Sequence, residues 1–467
     1  MPDSLGAPLP IGTRREPFFD RGLIEKLRHI SHELVDSVQT ENEFSFDRPW
    51  EGPYSSYPTI INDGGLYRMY YRGQSAIKAP SFTCYAESSD GKNWVRPKLG
   101  LHPFAGRIDT NILLVDQDPN EKTTHNFTPF LDLNPAVNPK EKYKAVAGDD
   151  KHGLWGYASA DGIHWQRIQP AAVFRDGVFD SQNITFWSEA ENCYVLYFRV
   201  WTEGLYKGKR TIARTTSADF RTWTKPEQMA FGDVPLEELY TNVTMPCPGA
   251  PHLYVALPSR FVMKRQWMSS ELARSLTVQE GREADVSDTV FMTSRGGTVY
   301  ERHFPAAYLK PGLDPQDWVG RNNMVTAGLV ELDGGTTWGF YRSRHYASAS
   351  SKLTLHTLRR DGFARLRAGR KTGRVLTKPF VAAGDNLCLN FATSAAGTLR
   401  IDVLDAGGKP IAGFSGRAAA RLFGDSTHFV VPWSKQRGWS ELNGRAIRLR
   451  FTLQEADLYA LQQIRTT

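Results

Sequence analysis

The stretch YASADGIHW at residues 157–165 combines the end of a strand, a tight turn and an aromatic residue. A closely similar stretch, YAESSDGKNW, occupies residues 85–94. In both stretches a serine lies two positions before an Asp-Gly pair, in which the aspartate can cap a turn and the glycine allows a positive φ. A tryptophan then opens the next strand. We therefore expect a β-hairpin that the chain forms more than once.

Further copies of this pattern follow along the chain: ARTTSADFRTW at residues 213–223, FMTSRGGTVY at residues 291–300 and LHTLRRDGFARL at residues 355–366. The equivalent turn positions are 58 to 76 residues apart, and they are Asp90, Asp161, Asp219, Arg295 and Asp361. Two more strand patterns precede each copy, whereas helical periodicity is nearly absent. Antiparallel units of this period are typical of propeller blades. The sequence therefore predicts an all-β fold with a five-bladed β-propeller over residues 47–366.

The pattern changes after a polar linker rich in Gly and Arg at residues 367–375. Residues 375–467 contain alternating strands and Gly-rich turns without the Asp-Gly-x-x-Trp pattern. This composition predicts a C-terminal β-sandwich. Residues 1–46 are interpreted as an N-terminal lead-in to the propeller.

Composition excludes several classes of function. The 467 residues carry a net charge of +7, but the basic residues are scattered, so we expect no nucleic-acid partner. No apolar run is long enough to span a bilayer, so we expect no membrane segment. The first residues lack the apolar core of a signal peptide, which predicts a cytoplasmic protein, or a periplasmic or secreted one if a leader has been removed. No cofactor is expected, a structural divalent cation in the propeller channel stays open, and the oligomeric state is not predicted.

The serine-x-aspartate turns, the strand patterns before them and the C-terminal sandwich resemble the five-bladed-propeller glycoside hydrolases. SADFRTWTKPE at residues 217–227 is especially similar to the blade hairpins of families 32, 43, 62, 68 and 117, and the two-domain layout is most similar to family 32. The segments HNFTPFLD, VFDSQN, ELYTN, SDTVFMTSRGG and KPGLDPQDWVGRNN are similar to a bacterial glycoside-hydrolase-like group. The resemblance implies a glycosidase acting on a poly- or oligosaccharide. It also implies a catalytic aspartate at the start of the first inner strand, where this chain has YSSYPTII, so the carboxylates must be assigned anew.

Strand geometry suggests where the site lies. In a propeller the starts of the inner strands and the ends of the second strands lie at the same mouth. Candidate residues at these positions are Asp47, Glu51, Arg72, His125, Asn126, Asp180, Asn183, Arg199, Trp201, Glu238, Asn242, Arg260, Arg321, Asn322 and His345. The arginines among them favour a sugar that bears a carboxylate or a sulfate, because guanidinium groups match planar oxyanions.

Cleavage of a glycosidic bond normally needs two carboxyl groups. We predict Asp180 as the nucleophile or base, Glu238 as the general acid and Asp47 as a third catalytic carboxylate. Glu237 is an alternative to Glu238, Glu51 is an alternative to Asp47, and Asp180 could instead cap a turn. The other candidate residues are expected to bind the sugar.

Two other functions fit the same sequence. A polysaccharide lyase would use a tyrosine or histidine as its base and an arginine to neutralise a uronate, and the chain offers Tyr57, Tyr240, His125 and Arg260 for these roles. A propeller that binds carbohydrate without catalysis is the second alternative.

Overall fold

The computed structural model describes residues 7–118, 122–433 and 438–465. The chain divides into two compact units, residues 38–357 and residues 1–37 with 358–467. Apart from short 3₁₀ turns, the regular structure consists of strands and one short helix, α1 (Ser270–Ser275), in these described ranges. The all-β prediction is therefore confirmed. No helix among the described residues is long and apolar enough to cross a membrane.

Three short strands precede the larger unit in the chain: β1 (Arg15–Pro17), β2 (Ile24–Arg28) and β3 (Ser31–Leu34). The first strand of the larger unit itself is β4 (Val38–Ser45). Three sheets follow it, each made of four consecutive strands. The first sheet contains β5 (Ser56–Asp63), β6 (Leu66–Gly73), β7 (Phe82–Ser88) and β8 (Ile112–Leu114). The second contains β9 (Thr128–Leu131), β10 (Tyr143–Asp149), β11 (Gly153–Ser159) and β12 (Gln166–Arg167). The third contains β13 (Ile184–Ser188), β14 (Cys193–Trp201), β15 (Arg210–Ser217) and β16 (Glu227–Gln228).

The next part of the larger unit consists of two three-stranded sheets. Its strands are β17 (Thr244–Cys247), β18 (Ala250–Ala256), β19 (Ser259–Val262), β20 (Val286–Val290), β21 (Met292–Ser294) and β22 (Ala307–Leu309). β18 pairs with β17 and β21, while β20 pairs with β19 and β22. The last sheet contains β23 (Val330–Leu332), β24 (Thr337–Arg344) and β25 (Lys352–Arg359), and β4 completes it by pairing with β25.

The serine-aspartate turns have the predicted chemistry at three of the five copies. The Ser159 hydroxyl donates to Asp161 Oδ1 at 3.0 Å and accepts from the backbone N–H of Gly162 at 2.9 Å. Asp161 Oδ1 also accepts from the N–H groups of Ile163 and His164, both at 2.8 Å. Equivalent bonds form at Ser88 with Asp90 and at Ser217 with Asp219.

The fourth and fifth copies lack this cap for a visible chemical reason. Arg295 has no carboxylate, and Arg359 stands where the first three copies have the serine that precedes the aspartate by two positions. The carboxylate of Asp361 instead accepts from Arg15 Nε at 2.6 Å and from Asn390 Nδ2 at 3.0 Å.

Large buried aromatic residues fill the spaces between neighbouring sheets. One core lies between the last sheet, which includes β4, and the first sheet. It contains Phe44, Tyr71, Tyr341 and Leu355. Another core joins the first and second sheets, and it includes Tyr70, Tyr85, Tyr143 and Trp155. The first sheet is therefore packed on both of its faces.

The smaller unit is built around one very long strand. Its strands after β25 are β26 (Ala364–Ala368), β27 (Gly373–Thr377), β28 (Phe380–Val381), β29 (Asn386–Asp405), β30 (Ala420–Leu422), β31 (Asp425–Val430) and β32 (Ala446–Ile464). β32 pairs with β1, β26, β27, β28 and β29. The 3₁₀ turns of the two units are Pro139–Glu141, Arg282–Ala284, Pro315–Asp317, Asp333–Gly335, Gly416–Ala418 and Trp439–Leu442. The number of blades, the C-terminal sandwich and the predicted boundaries at residues 47, 366 and 375 stay predictions.

Candidate functional site

The larger unit contains an open cavity of about 850 Å³, here called the cationic cavity. β5 supplies Tyr57 to its lining, and segments that lead into the first strands of later sheets supply His125, Asp180, Tyr240 and Arg321. Other lining residues that matter for the chemistry are Tyr54, Arg72, Lys78, Asp116, Lys122, Arg282 and Tyr346. Of the residues predicted from the sequence for the mouth, Arg72, His125, Asp180 and Arg321 thus share one cavity.

Tyr240 lies in the wall of this cavity with two guanidinium groups over its ring. Arg321 Nε donates to the Tyr240 hydroxyl oxygen at 3.1 Å. The guanidinium carbons of Arg199 and Arg321 lie 5.2 and 5.3 Å from the ring centre. Burial alone would raise the pKa of Tyr240, but the positive charges of Arg321 and Arg199 and a hydrogen bond from Tyr57 outweigh burial and lower the pKa to about 7.

Tyr57 connects Tyr240 to a second group of polar residues. The hydroxyl oxygens of the two tyrosines are 3.0 Å apart. Burial, followed by the proximity of Tyr240, raises the pKa of Tyr57 well above its ordinary value, so Tyr57 keeps its proton. The guanidinium of Arg72 lies 4.8 Å from the centre of the Tyr57 ring.

Arg72 also fixes His125 in the neutral form. Arg72 Nη1 lies 3.0 Å from Nε2 and 3.1 Å from Nδ1 of His125, and an arginine can only donate, so one of the two imidazole nitrogens accepts. Burial, reinforced by the charge of Arg72, holds the pKa of His125 well below its ordinary value. His125 is therefore a neutral acceptor rather than another cation of the cavity.

The two carboxylates of the cavity have different partners. Asp180 forms an ion pair with Arg199, whose side chain is buried. Asp116 accepts from the hydroxyls of Thr123 and Thr124 at 2.9 and 3.0 Å and from the Thr124 N–H at 2.9 Å. Burial raises the pKa of Asp116, although these hydrogen bonds act in the opposite direction.

Glu238 lines a different cavity, of about 890 Å³, together with Glu237 and Arg260. Glu238 Oε2 accepts from Arg210 Nη1 at 2.8 Å, and Glu237 accepts from Arg260 at 2.8 Å. The structure therefore does not bring the two predicted catalytic carboxylates Asp180 and Glu238 into one cavity.

The predicted sugar-binding amides all bond to the backbone. Asn126 Nδ2 donates to the carbonyls of Gly148 and Ser181 at 2.9 and 3.1 Å and to that of Phe179. Three further buried amides brace loops in the same way, and they are Asn183, Asn242 and Asn322. These side chains hold the walls of the site in place.

Four further predicted residues lie outside the residues that line the cationic cavity. Asp47 is exposed, whereas Glu51 is buried and accepts from Arg96 at 2.9 Å and from the Tyr71 hydroxyl at 2.5 Å. Trp201 has the guanidinium of Arg210 4.5 Å from its ring centre, and His345 Nε2 lies 2.9 Å from Asp314 Oδ2.

One group of side chains has the composition of a metal site. Ligand atoms of Asp314, Asp317 and His345 lie within 4.8 Å of one another. Arg344 donates to Asp317 at 2.8 Å and to Asp314 at 2.7 Å. The guanidinium group therefore already supplies positive charge between these carboxylates.

The sequence patterns did not single out Asp116, Arg282 or the lysines Lys78 and Lys122. Asp116 follows a short outer strand and has no motif around it, and Arg282 belongs to the insertion between β19 and β20. Tyr240 was singled out only for the lyase alternative. Its two arginines come from segments far apart in the chain, so no local pattern indicates its lowered pKa.

No protein-family model and no curated protein sequence matches the chain. Similar solved structures include a glycosyl hydrolase from Bacteroides ovatus, with 15% identity, a TM-score of 0.42 and coverage of 70% of this chain and 94% of that chain. A fructofuranosidase from Schwanniomyces occidentalis in complex with fructosylnystose has 9% identity and a TM-score of 0.40 over 93% and 100% of the two chains. An N-acetylgalactosamine deacetylase from F. plautii has 13% identity and a TM-score of 0.45 over 71% and 96%. At these identities and scores, the likeness does not assign an activity to this chain.

Proposed function

We propose that this chain is a glycoside hydrolase that cleaves a negatively charged glycan in the cationic cavity. The main support is the charge of the described lining side chains: the five cations Arg72, Lys78, Lys122, Arg282 and Arg321 share the described part of the lining with the two carboxylates Asp116 and Asp180. Guanidinium groups bind carboxylate and sulfate oxygens through paired hydrogen bonds. A uronate or a sulfated sugar is the carbohydrate that matches such a cavity.

The sheet arrangement supports a propeller as the frame of this site. We interpret the three four-stranded sheets as three blades, the two three-stranded sheets of β17 to β22 together as the fourth blade, and the last sheet as the fifth. A bridge between Thr59 in β5 and Ala327 just before β23 places the entry strand of the last sheet beside that of the first. β4 then closes the last blade, and we interpret the smaller unit as the C-terminal sandwich.

Asp116 is the proposed general acid. A general acid must hold its proton at the working pH, and burial raises the pKa of this carboxyl. It lines the same cavity as the arginines, whereas Glu238 lines the second cavity and is bonded to Arg210. For the group on the opposite side of the scissile bond, the cationic cavity offers the carboxylate of Asp180 and the hydroxyl of Tyr240.

The proposal is tested with Asp116→Asn and with Glu238→Gln as the matched control. The assay measures new reducing ends from uronate-bearing and sulfated oligosaccharides. We expect Asp116→Asn to lower kcat by about 10²–10⁴-fold, the usual contribution of a general acid, while Glu238→Gln keeps activity near the wild-type level.

The reverse result would contradict this choice of cavity. If Glu238→Gln abolishes turnover in a protein with unchanged melting temperature while Asp116→Asn is active, the acid predicted from the sequence is the correct one. If wild-type protein cleaves none of these glycans but binds them, the chain is a binding propeller.

A polysaccharide lyase is the second candidate function. The specific observation in its favour is that Tyr57, Tyr240 and His125, named from the sequence as candidate lyase bases, all line the cationic cavity. A phenolate can remove the proton next to a uronate carboxylate while arginines neutralise that carboxylate. Arg260, the arginine named for that role, lines the second cavity instead.

Cleavage in ¹⁸O-labelled water separates hydrolysis from elimination. Hydrolysis places one labelled oxygen in the product, whereas elimination places none and forms a carbon–carbon double bond that absorbs in the ultraviolet. We expect labelled product without that absorbance, and the opposite pair of results would establish the lyase.

A further inference from the structure

We propose that Tyr240 is the nucleophile of the hydrolysis and that it attacks the anomeric carbon as a phenolate. This inference rests on the proposed function and assigns the group that acts together with the general acid Asp116, since both side chains line the cationic cavity. The sequence pattern placed this role on Asp180.

The hydrogen-bond partners of Tyr240 suit an anion. Arg321 Nε can only donate, so the Tyr240 oxygen is the acceptor in their 3.1 Å contact. The Tyr57 hydroxyl lies 3.0 Å from the same oxygen and can donate to a phenolate, because a hydroxyl can act as donor or acceptor. One obligate donor and one hydroxyl able to donate therefore meet the Tyr240 oxygen among its described partners.

The charged groups that face Tyr240 come from separate elements. Arg199 belongs to β14, Arg321 precedes β23, and Arg72 of β6 lies against the Tyr57 ring. The positive charges of Arg321 and Arg199 stabilise a phenolate in a buried position, where an isolated anion would be unstable. Tyr240 itself is 7% exposed and lines the cavity.

Both hydrogen-bond donors to Tyr240 have a backbone conformation that is unusual for their residue type. Tyr57 has a φ of 55° and Arg321 a φ of 69°, in the left-handed region that bulky side chains rarely adopt. Such strain persists where the surrounding structure enforces it, and it is often found at functional sites. Here it is found at both side chains that bond the Tyr240 oxygen.

Asp180 is less suited to the attack because its charge already has a partner. It forms an ion pair with the same Arg199 whose guanidinium lies over the Tyr240 ring. We therefore assign Asp180 to positioning Arg199 rather than to contact with the anomeric carbon.

The chemistry balances with water as the only other reactant. In the first step the Tyr240 oxygen bonds to the anomeric carbon, the bond to the leaving sugar breaks, and Asp116 gives its proton to the departing oxygen. In the second step the Asp116 carboxylate takes a proton from water, the water oxygen bonds to the anomeric carbon, and the bond to Tyr240 breaks. A phenol with a pKa of about 7 leaves more readily than an ordinary tyrosine, which favours this second step. Two displacements retain the configuration of the anomeric carbon.

The decisive experiment combines trapping with product stereochemistry. Wild type, Tyr240→Phe, Tyr57→Phe and Asp180→Asn are incubated with 2-deoxy-2-fluorouronosyl fluorides of both anomers, and labelled peptides are identified by mass spectrometry. Proton NMR of the earliest product from the glycan cleaved by wild type gives the anomeric configuration. We expect a glycosyl adduct on Tyr240 in wild type and in Asp180→Asn, retained configuration, and a loss of turnover on the order of 10³-fold or more in Tyr240→Phe.

Several outcomes would overturn the inference. An inverted product, an adduct on Asp180, or a folded Tyr240→Phe with near-wild-type turnover each assigns the attack to another group while leaving the glycosidase intact. Tyr57→Phe is the structural control: it keeps Tyr240 and should still form the adduct, with the acid limb of its pH profile moved to higher pH. If wild type cleaves no glycoside at all, the proposed function fails, and the nucleophile assignment fails with it.

Discussion

Tyr240 shows how charge from distant parts of the chain changes the chemistry of one side chain. Burial favours the neutral phenol, and two guanidinium groups favour the phenolate. The charges prevail, so the hydroxyl ionises near neutral pH, where a nucleophile or base is useful. The sequence supplied Tyr240 as a candidate, but its arginines stand about 40 and 80 positions away, beyond the range of any local pattern.

Removing one of these charges should move the pH profile of the enzyme. An opposite charge within hydrogen-bonding distance shifts a pKa by roughly 1–3 units, so Arg321→Gln should raise the pKa of Tyr240 by about that amount. Because the deprotonated form is the active one, activity is lost as the pH falls through this pKa. We expect the acid limb of kcat/KM to lie near pH 7 in wild type and to move to higher pH in Arg321→Gln.

Arg282→Gln is the matched control for this measurement. Arg282 lines the same cavity, but its guanidinium lies over the ring of Tyr54, 5.6 Å from the centre, rather than over Tyr240. Its removal should leave the acid limb in place. An equal shift in both variants would mean that the general charge of the cavity, and not the contact with Arg321, sets the profile.

At the scale of elements, the segments that precede the first strands of the sheets supply side chains to the cationic cavity, and buried asparagine side chains hold these segments in place. Such loops were expected at one mouth from the alternation of strands alone, and the structure brings His125, Asp180 and Arg321 to one cavity. The roles of the asparagines were not predictable in this way. An asparagine that braces a backbone loop has the same sequence context as one that binds a sugar.

Asn126→Ala should therefore reduce stability and activity together. The substitution removes the hydrogen bonds that Asn126 makes with the carbonyl and the N–H of Gly148, whereas the carbonyls of Phe179 and Ser181 keep Asn183 as a donor. An unsatisfied buried polar group costs about 1–3 kcal/mol. Urea unfolding should show a loss of about this size, and kcat should fall because the segment with Asp180 is released.

Asn62→Ala serves as the control for the Asn126 variant. Asn62 is exposed at the end of β5 and accepts one bond, from the Gly65 N–H at 3.2 Å. Its substitution should change the free energy of unfolding by about 0.5 kcal/mol or less and leave kcat unchanged. A stable and active Asn126→Ala would instead show that this amide is dispensable for the loop.

At the scale of the whole molecule, strand patterns and turn chemistry were enough to predict the all-β class. The serine-aspartate turns of the first three copies carry the same local hydrogen bonds, and such bonds depend only on neighbouring residues. The partners of charged side chains follow a different rule, because they depend on which loops meet in space. Glu238 illustrates this limit, since its bond to Arg210 could not be inferred from its apolar neighbours.

The positive charge of the cationic cavity is a property of the whole larger unit, because several of its segments contribute the charged side chains. Its consequence is measured most directly by comparing a uronate-bearing oligosaccharide with its carboxyl-reduced counterpart at low salt and at about 0.5 M salt. We predict that wild type has a kcat/KM at least about tenfold higher for the charged substrate, equivalent to about 1.4 kcal/mol, and that salt reduces this preference. Equal or faster turnover of the uncharged substrate at low salt would contradict the assignment of this cavity to an anionic glycan.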